Sequence, residues 1–254
     1  MFIDTHCHIT FKEFDDDRIT ILSNAKKAGV KKFIIPGTDY ASSLAAQAFA
    51  SQHADCVYHS VGVHPYEASD GVTGSKLSSL ISPTTIAIGE CGLDYHLYKG
   101  FPAVGKKDEQ KRLFETQLLL ALERNLPVII HCRDAYEEIF SVLDGLPSLP
   151  TGVFHCFSGG LSDFREVSAR GFFVGFDGNI TFSKQLQSII PSIPLSSILL
   201  ETDAPYLTPL PHRGTRNEPK YIPLIAKTLA SLQSVDDTIV RDQTTKNAKN
   251  LFSV

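Results

Sequence analysis

Eight short apolar runs alternate with helix-period segments along the chain, and this alternation constrains the fold more than any other feature. The runs with strand character are FID (2–4), FIIP (33–36), VYHSVGVH (57–64), TIAIGE (85–90), VIIH (128–131), GVFH (152–155), FFVGF (172–176) and SILLETD (197–203). Between them, EQKRLFETQLLLALERN (109–125) sets Leu113, Phe114, Gln117, Leu118, Ala121 and Leu122 on one helix face. LSDFREVSARG predicts a second helix from near Ser162 to a C-terminal glycine at Gly171. Strands separated by helices pair in parallel, because parallel neighbours need a crossover. At 254 residues the expected fold is α/β, a single-domain (β/α)8 barrel of the TIM type over 1–254. An open doubly wound sheet would carry GxGxxG after the first strand, and none is present.

Strand after strand ends in a group that can bind metal. His6 and His8 follow the first run, His64 ends the third, Glu90 the fourth, His131 the fifth, His155 the sixth and Asp203 the eighth. A barrel delivers all its strand C-termini to one mouth, so these residues become neighbours. Each is weak evidence alone. His6-Cys7-His8 is also read as two solvated imidazoles, Glu90 as an ion-paired carboxylate, and Asp203 as a turn cap. Leaving His64 aside, six imidazoles and carboxylates crowded at one mouth are costly without partners, and divalent metal removes that cost.

The charge balance, 24 basic against 28 acidic residues, argues against a long basic track for nucleic acid. It leaves room for a phosphate held locally. No stretch approaches a membrane span and the N-terminus has no signal core, so a cytoplasmic protein with reduced cysteines and no membrane partner is expected. The five cysteines contain no CxxC pair. Cys7, Cys91, Cys132 and Cys156 each adjoin a proposed ligand and, by strand alternation, are expected to point outward under the helices. The polar loop 94–108 is expected to cover the site, with Tyr95, His96, Tyr98 and Phe101 as candidate base-stacking groups.

FIDTHCHIT, GVHP (62–65), GECGLD (89–94), PVIIHCR (127–133), FHCFSG (154–159), LLETDAP (199–205) and RGTRNEP (213–219) follow one another in an order that resembles the TatD-type metal-dependent deoxyribonucleases, within the amidohydrolase-like barrels. The resemblance spans essentially the whole chain. Thr10 departs from it, standing where Asp or Asn is usual, and touches only a supporting contact. The resemblance implies one metal held by His6, His8, Glu90 and Asp203, and a second held by Glu90, His131 and His155, with Glu90 bridging.

Two divalent ions, Zn²⁺, Mn²⁺ or Mg²⁺, are thus expected, their identity left open by a ligand set of four imidazoles and two carboxylates. The expected reaction is cleavage of DNA or RNA phosphodiester bonds at single-stranded ends by a metal-bridging hydroxide. Asp203 is the candidate proton acceptor and Glu90 the catalytic bridge. Glu201 is expected to brace the ligands by hydrogen bonding. His64, Arg213 and Arg216 are the candidate substrate contacts, and Asn217 reads as a helix cap followed by Pro219. An esterase, lactonase or amidase using the same metals is the alternative, and a metal-dependent binding protein is the non-catalytic one. No obligate protein partner is indicated.

Overall fold

The computed structural model describes residues 1–68, 74–96 and 106–254. Strands β1 (Phe2–Asp4), β2 (Val30–Ile35), β3 (Val57–Val61), β4 (Thr85–Asp94), β5 (Val128–Arg133), β6 (Gly152–Phe154), β7 (Phe173–Phe176) and β8 (Ile198–Leu200) pair in parallel in chain order. Helices α1 (Arg18–Lys27), α2 (Tyr40–Gln52), α3 (Gly74–Ser78), α4 (Lys107–Arg124), α5 (Tyr136–Asp144), α6 (Leu161–Ala169), α7 (Lys184–Ile189), α8 (Ile222–Gln233) and α9 (Asp237–Phe252) fall between and after them. The sheet forms a nearly closed barrel. Across its seam, Thr5 N donates to Leu200 O at 3.1 Å, His8 N to Ala204 O at 2.8 Å and Asp203 N to His6 O at 2.9 Å. Thr202 Oγ1 donates to the buried Asp4 Oδ2 at 2.6 Å. These bonds tie the two strand ends that carry His6, His8 and Asp203.

Alternation sorts the apolar residues into two layers. Ile3, Ile34, Ala87, Ile129, Val153 and Leu199 fill the barrel interior, where Ala248, Leu251 and Phe252 of α9 pack on them. Their strand neighbours, among them Phe33, Ile35, Ile88, Val128, Ile130 and Phe154, face the helices. Helix α4 buries Leu113, Phe114, Gln117, Leu118 and Ala121, close to the predicted face, and ends on Asn125 at φ 51°. Helix α6 starts one residue before Ser162, and Gly171 just beyond its end takes φ +80°.

The two buried glutamines of α4 have a positional use. Gln117 accepts from Val63 N (2.8 Å) and donates to Val63 O (2.9 Å), next to His64. Gln110 accepts from Asp94 N (2.9 Å) and donates to Asp94 O (3.1 Å). Each amide satisfies both backbone polar groups of one residue near the end of its strand, so the chain at the mouth is fixed without a further strand.

Several strand limits differ from the sequence expectation. Glu90 and His131 lie within strands, since β4 runs on to Asp94 and β5 to Arg133. His64, His155 and Asp203 lie just beyond theirs, β3 and β8 being shorter than read. The register of β4 shifts between Ile88 and Cys91, around Gly89 at φ +143°. That irregularity turns Glu90 inward even though Ala87 already faces the interior.

Candidate metal centre

The structure brings His6, His8, Glu90, His131, His155 and Asp203 together at the barrel mouth in two groups. In the first, His6 Nε2 and His8 Nε2 are 3.2 Å apart. Glu90 Oε2 is 3.3 Å from His6 Nε2 and 3.7 Å from His8 Nε2. Asp203 Oδ1 is 3.7 and 3.3 Å from the same two nitrogens. In the second, Glu90 Oε1 is 3.0 Å from His131 Nδ1 and 2.8 Å from His155 Nε2, which are 3.3 Å from each other. His64 Nε2 approaches Glu90 Oε1 at 3.5 Å. The rings of His6 and His155 stack with centroids 3.9 Å apart and planes 8° from parallel.

Glu90 is buried with a 3% exposed residue surface, yet burial does not neutralise it. Burial pushes its carboxyl up, and His155, His6 and His64 together hold it well below the usual range. Burial pushes His131 down, but bonds to Asp94 and Glu90 raise it overall. Burial and the neighbouring His131 push His64 down to about 3. The first group sets ring nitrogens and carboxylate oxygens against one another with few hydrogens to share. Its separations of 3.2–3.7 Å lie close to the edges of a ligand polyhedron, about 2.8–3.6 Å for bonds of roughly 2.0–2.2 Å to a divalent ion. The donor set therefore fits bound metal. Among the described residues three groups have compatible reach: His6, His8 and Asp203; His6, His155 and Glu201; and His64, Glu90 and His131.

A cavity of about 840 Å³ opens above these residues. Sequence reasoning missed Asp94, whose Oδ2 lies 3.0 Å from His131 Nε2, although the GECGLD motif contains it. It also missed the aromatic rings at the rim, Phe11, Tyr66 and Tyr206. Phe11 stacks on His8 at 4.5 Å, and Tyr206 is 52% exposed. Of the predicted stacking groups among the described residues, His96 borders the cavity and Tyr95 does not. Tyr95 is buried under the Lys107 side chain, and Tyr98 and Phe101 lie outside the described residues.

Neither Arg213 nor Arg216 is among the described residues lining the cavity. Arg216 makes two bonds to Asp17 (3.0 and 2.6 Å), donates to Glu13 O and lies over the Phe14 ring, joining the loop after β8 to the start of α1. Arg213 stacks on Phe182. Asn217 does not cap a helix. Its Nδ2 donates to Thr202 O (2.7 Å) and Tyr206 O (2.5 Å), so it shapes the loop carrying Asp203.

Glu201 lies below the site, its Oε1 3.6 Å from His155 Nδ1 and accepting from Cys156 N. Gly175 makes room for it, since a Cβ there would sit 2.3 Å from Glu201 Oε2. Cys7 and Cys91 lie in the helix-facing layer, opposite the neighbouring candidate ligands, and Cys132 packs in that layer while also bordering the cavity. Cys156 departs from the expectation: at φ 47° it leaves strand geometry and borders the cavity.

A parallel barrel with clustered imidazoles and carboxylates at its mouth defines a hydrolase of the metal-dependent barrel class. The family described as TatD related DNase matches residues 3–253, and the chain belongs to that family. It is 38% identical to the 3'-5' ssDNA/RNA exonuclease TatD of Erwinia tasmaniensis, over 99% of each chain. It is 36% identical to the uncharacterized metal-dependent hydrolase YabD of Bacillus subtilis, over 100% of each. The crystal structure of YJJV, a TatD homolog from Escherichia coli, superposes with a TM-score of 0.90 at 32% identity, over 100% of this chain and 98% of that one. Among the described residues no helix is long and apolar enough to cross a membrane.

Proposed function

We propose that the barrel over 1–254 is an exonuclease that uses two divalent ions to hydrolyse phosphodiester bonds at single-stranded ends of DNA or RNA. The observation that carries this reading is the division of Glu90: one oxygen faces His6 and His8, the other His131 and His155. His6, His8, Asp203 and Glu90 Oε2 would hold one ion, and Glu90 Oε1, His131 and His155 the other. Bound ions would activate water and neutralise charge on the phosphate. Zn²⁺ or Mn²⁺ suits four imidazoles better than Mg²⁺ does.

The chain's own groups do the rest. Asp203 borders the cavity, and its carboxylate accepts the proton of the attacking water. His64 Nδ1 accepts from Tyr66 N at 3.2 Å, which aims Nε2 toward the site and suits it to orient substrate or water. The rim rings of Tyr66 and Tyr206 suit the stacking of unpaired bases, which double-stranded ends do not present. The naming of the Erwinia relative supports the same substrate class.

The test is hydrolysis of single-stranded DNA, single-stranded RNA, duplex DNA and a lactone, each with Mg²⁺, Mn²⁺ and Zn²⁺. Metal-dependent release of nucleotides from single strands is expected. Faster turnover of the lactone than of either nucleic acid in all three metals would overturn the proposal.

A further inference from the structure

We infer that Arg133 is the residue that grips the substrate backbone, holding a phosphodiester next to the one being cleaved. The inference rests on the nuclease reading above and gives it a specificity contact. A polyanion entering this cavity meets Glu67, Glu90, Asp94, Asp134 and Asp203 on its walls. Arg133 is the only arginine or lysine among the described lining residues. The loop arginines that sequence reasoning favoured, Arg213 and Arg216, are not among the described residues lining this cavity.

The position of Arg133 follows from the strand. Ile129 faces the barrel interior and His131 faces Glu90, so Arg133, two residues further, shares their face. Its Cα stands about 6–7 Å beyond that of His131 along the strand, at two residues of strand rise. Its backbone is fixed by pairing with Asp94 and by the Tyr95 N bond to Arg133 O at 2.9 Å. Asp134, at φ 52°, then turns the chain away toward α5. The guanidinium is therefore carried on a rigid strand end, exposed, and outside the ring of candidate ligands. That separation sets it against a neighbouring phosphate rather than the one at the metals. A planar guanidinium meets two phosphate oxygens at once, where lysine offers a point charge.

The experiment compares Arg133→Ala, Arg133→Lys and, as a surface control on α6, Arg165→Ala, all metal-loaded. Two substrates are used: a single-stranded oligonucleotide and a thymidine p-nitrophenyl phosphate with one diester. For Arg133→Ala, the oligonucleotide KM is expected to rise about tenfold or more, with kcat changed much less, and with a smaller KM effect on the single diester. The salt dependence of oligonucleotide KM should lose about one unit of slope. Arg133→Lys should keep the slope while recovering only part of the KM. Metal content and melting temperature should match wild type. An unchanged oligonucleotide KM, or equal KM effects on both substrates, would overturn the inference while the nuclease reading stands. If wild type fails to degrade single strands, both fall together.

Discussion

Asp94 Oδ2 lies 3.0 Å from His131 Nε2, on the far side of the ring from Glu90 Oε1, which lies 3.0 Å from Nδ1. In the neutral ring, a proton on Nε2 satisfies Asp94 and leaves the Nδ1 lone pair free to bind metal. A carboxylate behind a ligand histidine thus fixes both tautomer and ring orientation. Asp94 is itself held by Gln110 and by His96 N at 2.9 Å. Asp94→Ala is expected to weaken binding of the ion held by His131 by about 10–100-fold. Titration of apoprotein with Mn²⁺ by calorimetry checks this, and wild-type affinity at every site would remove the orienting role.

Glu90→Gln separates the shared carboxylate from its neighbours most economically. The amide keeps the size of the side chain but offers one oxygen and one NH₂ in place of two anionic oxygens. Both proposed ions lose a ligand at once. Elemental analysis should show loss of at least one ion per chain, and nucleolytic turnover should fall by on the order of 10³-fold or more, as for removal of a principal catalytic contact. Full metal content with near-normal turnover would end the two-ion assignment.

The barrel and most of its site are legible in sequence because strand alternation is a local rule. Ile129, His131 and Arg133 share one face, and Val153 and His155 another, as spacing alone requires. Alternation gives the wrong face for the candidate ligands His6, His8 and Glu90. Ile3 faces inward, so His6 and His8 would face out, had the chain not bent at Thr5. Glu90 likewise needs the register shift around Gly89. The arginines fail for a different reason. Arg216 finds Asp17, 199 residues away in sequence, a contact that no short window reveals. Asp94 hides in plain view, because one more carboxylate in a motif does not disclose which side of a histidine it stands behind.

The cysteines offer an independent check on which face each strand presents. Cys7 and Cys91 donate to Ile34 O (3.7 Å) and Ile129 O (3.6 Å), and Cys132 packs in the same outer layer. Burial pushes all three thiols, and that of Cys156, well up. Single Cys→Ala changes at the four positions should leave metal content intact. For the outer three the cost in stability should be about 1 kcal/mol. Thiol reagents at neutral pH should react slowly with the native protein, because the thiolate is the reactive form. Metal loss from two or more of these variants would mean the faces are inverted.

His59 is a buried imidazole on β3 whose Nε2 lies 3.1 Å from Thr85 Oγ1. Its Nδ1 is buried without a hydrogen-bond partner among the described residues. Burial pushes the imidazole down from 6.5 to about 4. The unfolded chain takes up a proton on His59 below about pH 6.5, whereas the folded chain resists until about pH 4. Between those values the unfolded state binds more protons, so stability rises with pH and is lost as the solution is acidified. The contribution is intact above pH 6.5 and lost as pH drops toward 4, a loss of about 3 kcal/mol at about 1.4 kcal/mol per pKa unit. His59→Gln has no titrating group and retains an amide that can bond to Thr85. Its stability at pH 7 should be modestly lower than wild type, but its loss between pH 7 and pH 4.5 should be smaller by about 2–3 kcal/mol. Urea unfolding at both pH values measures the difference. Parallel acid limbs for the two proteins would show that His59 is already protonated, or already neutral, in both states.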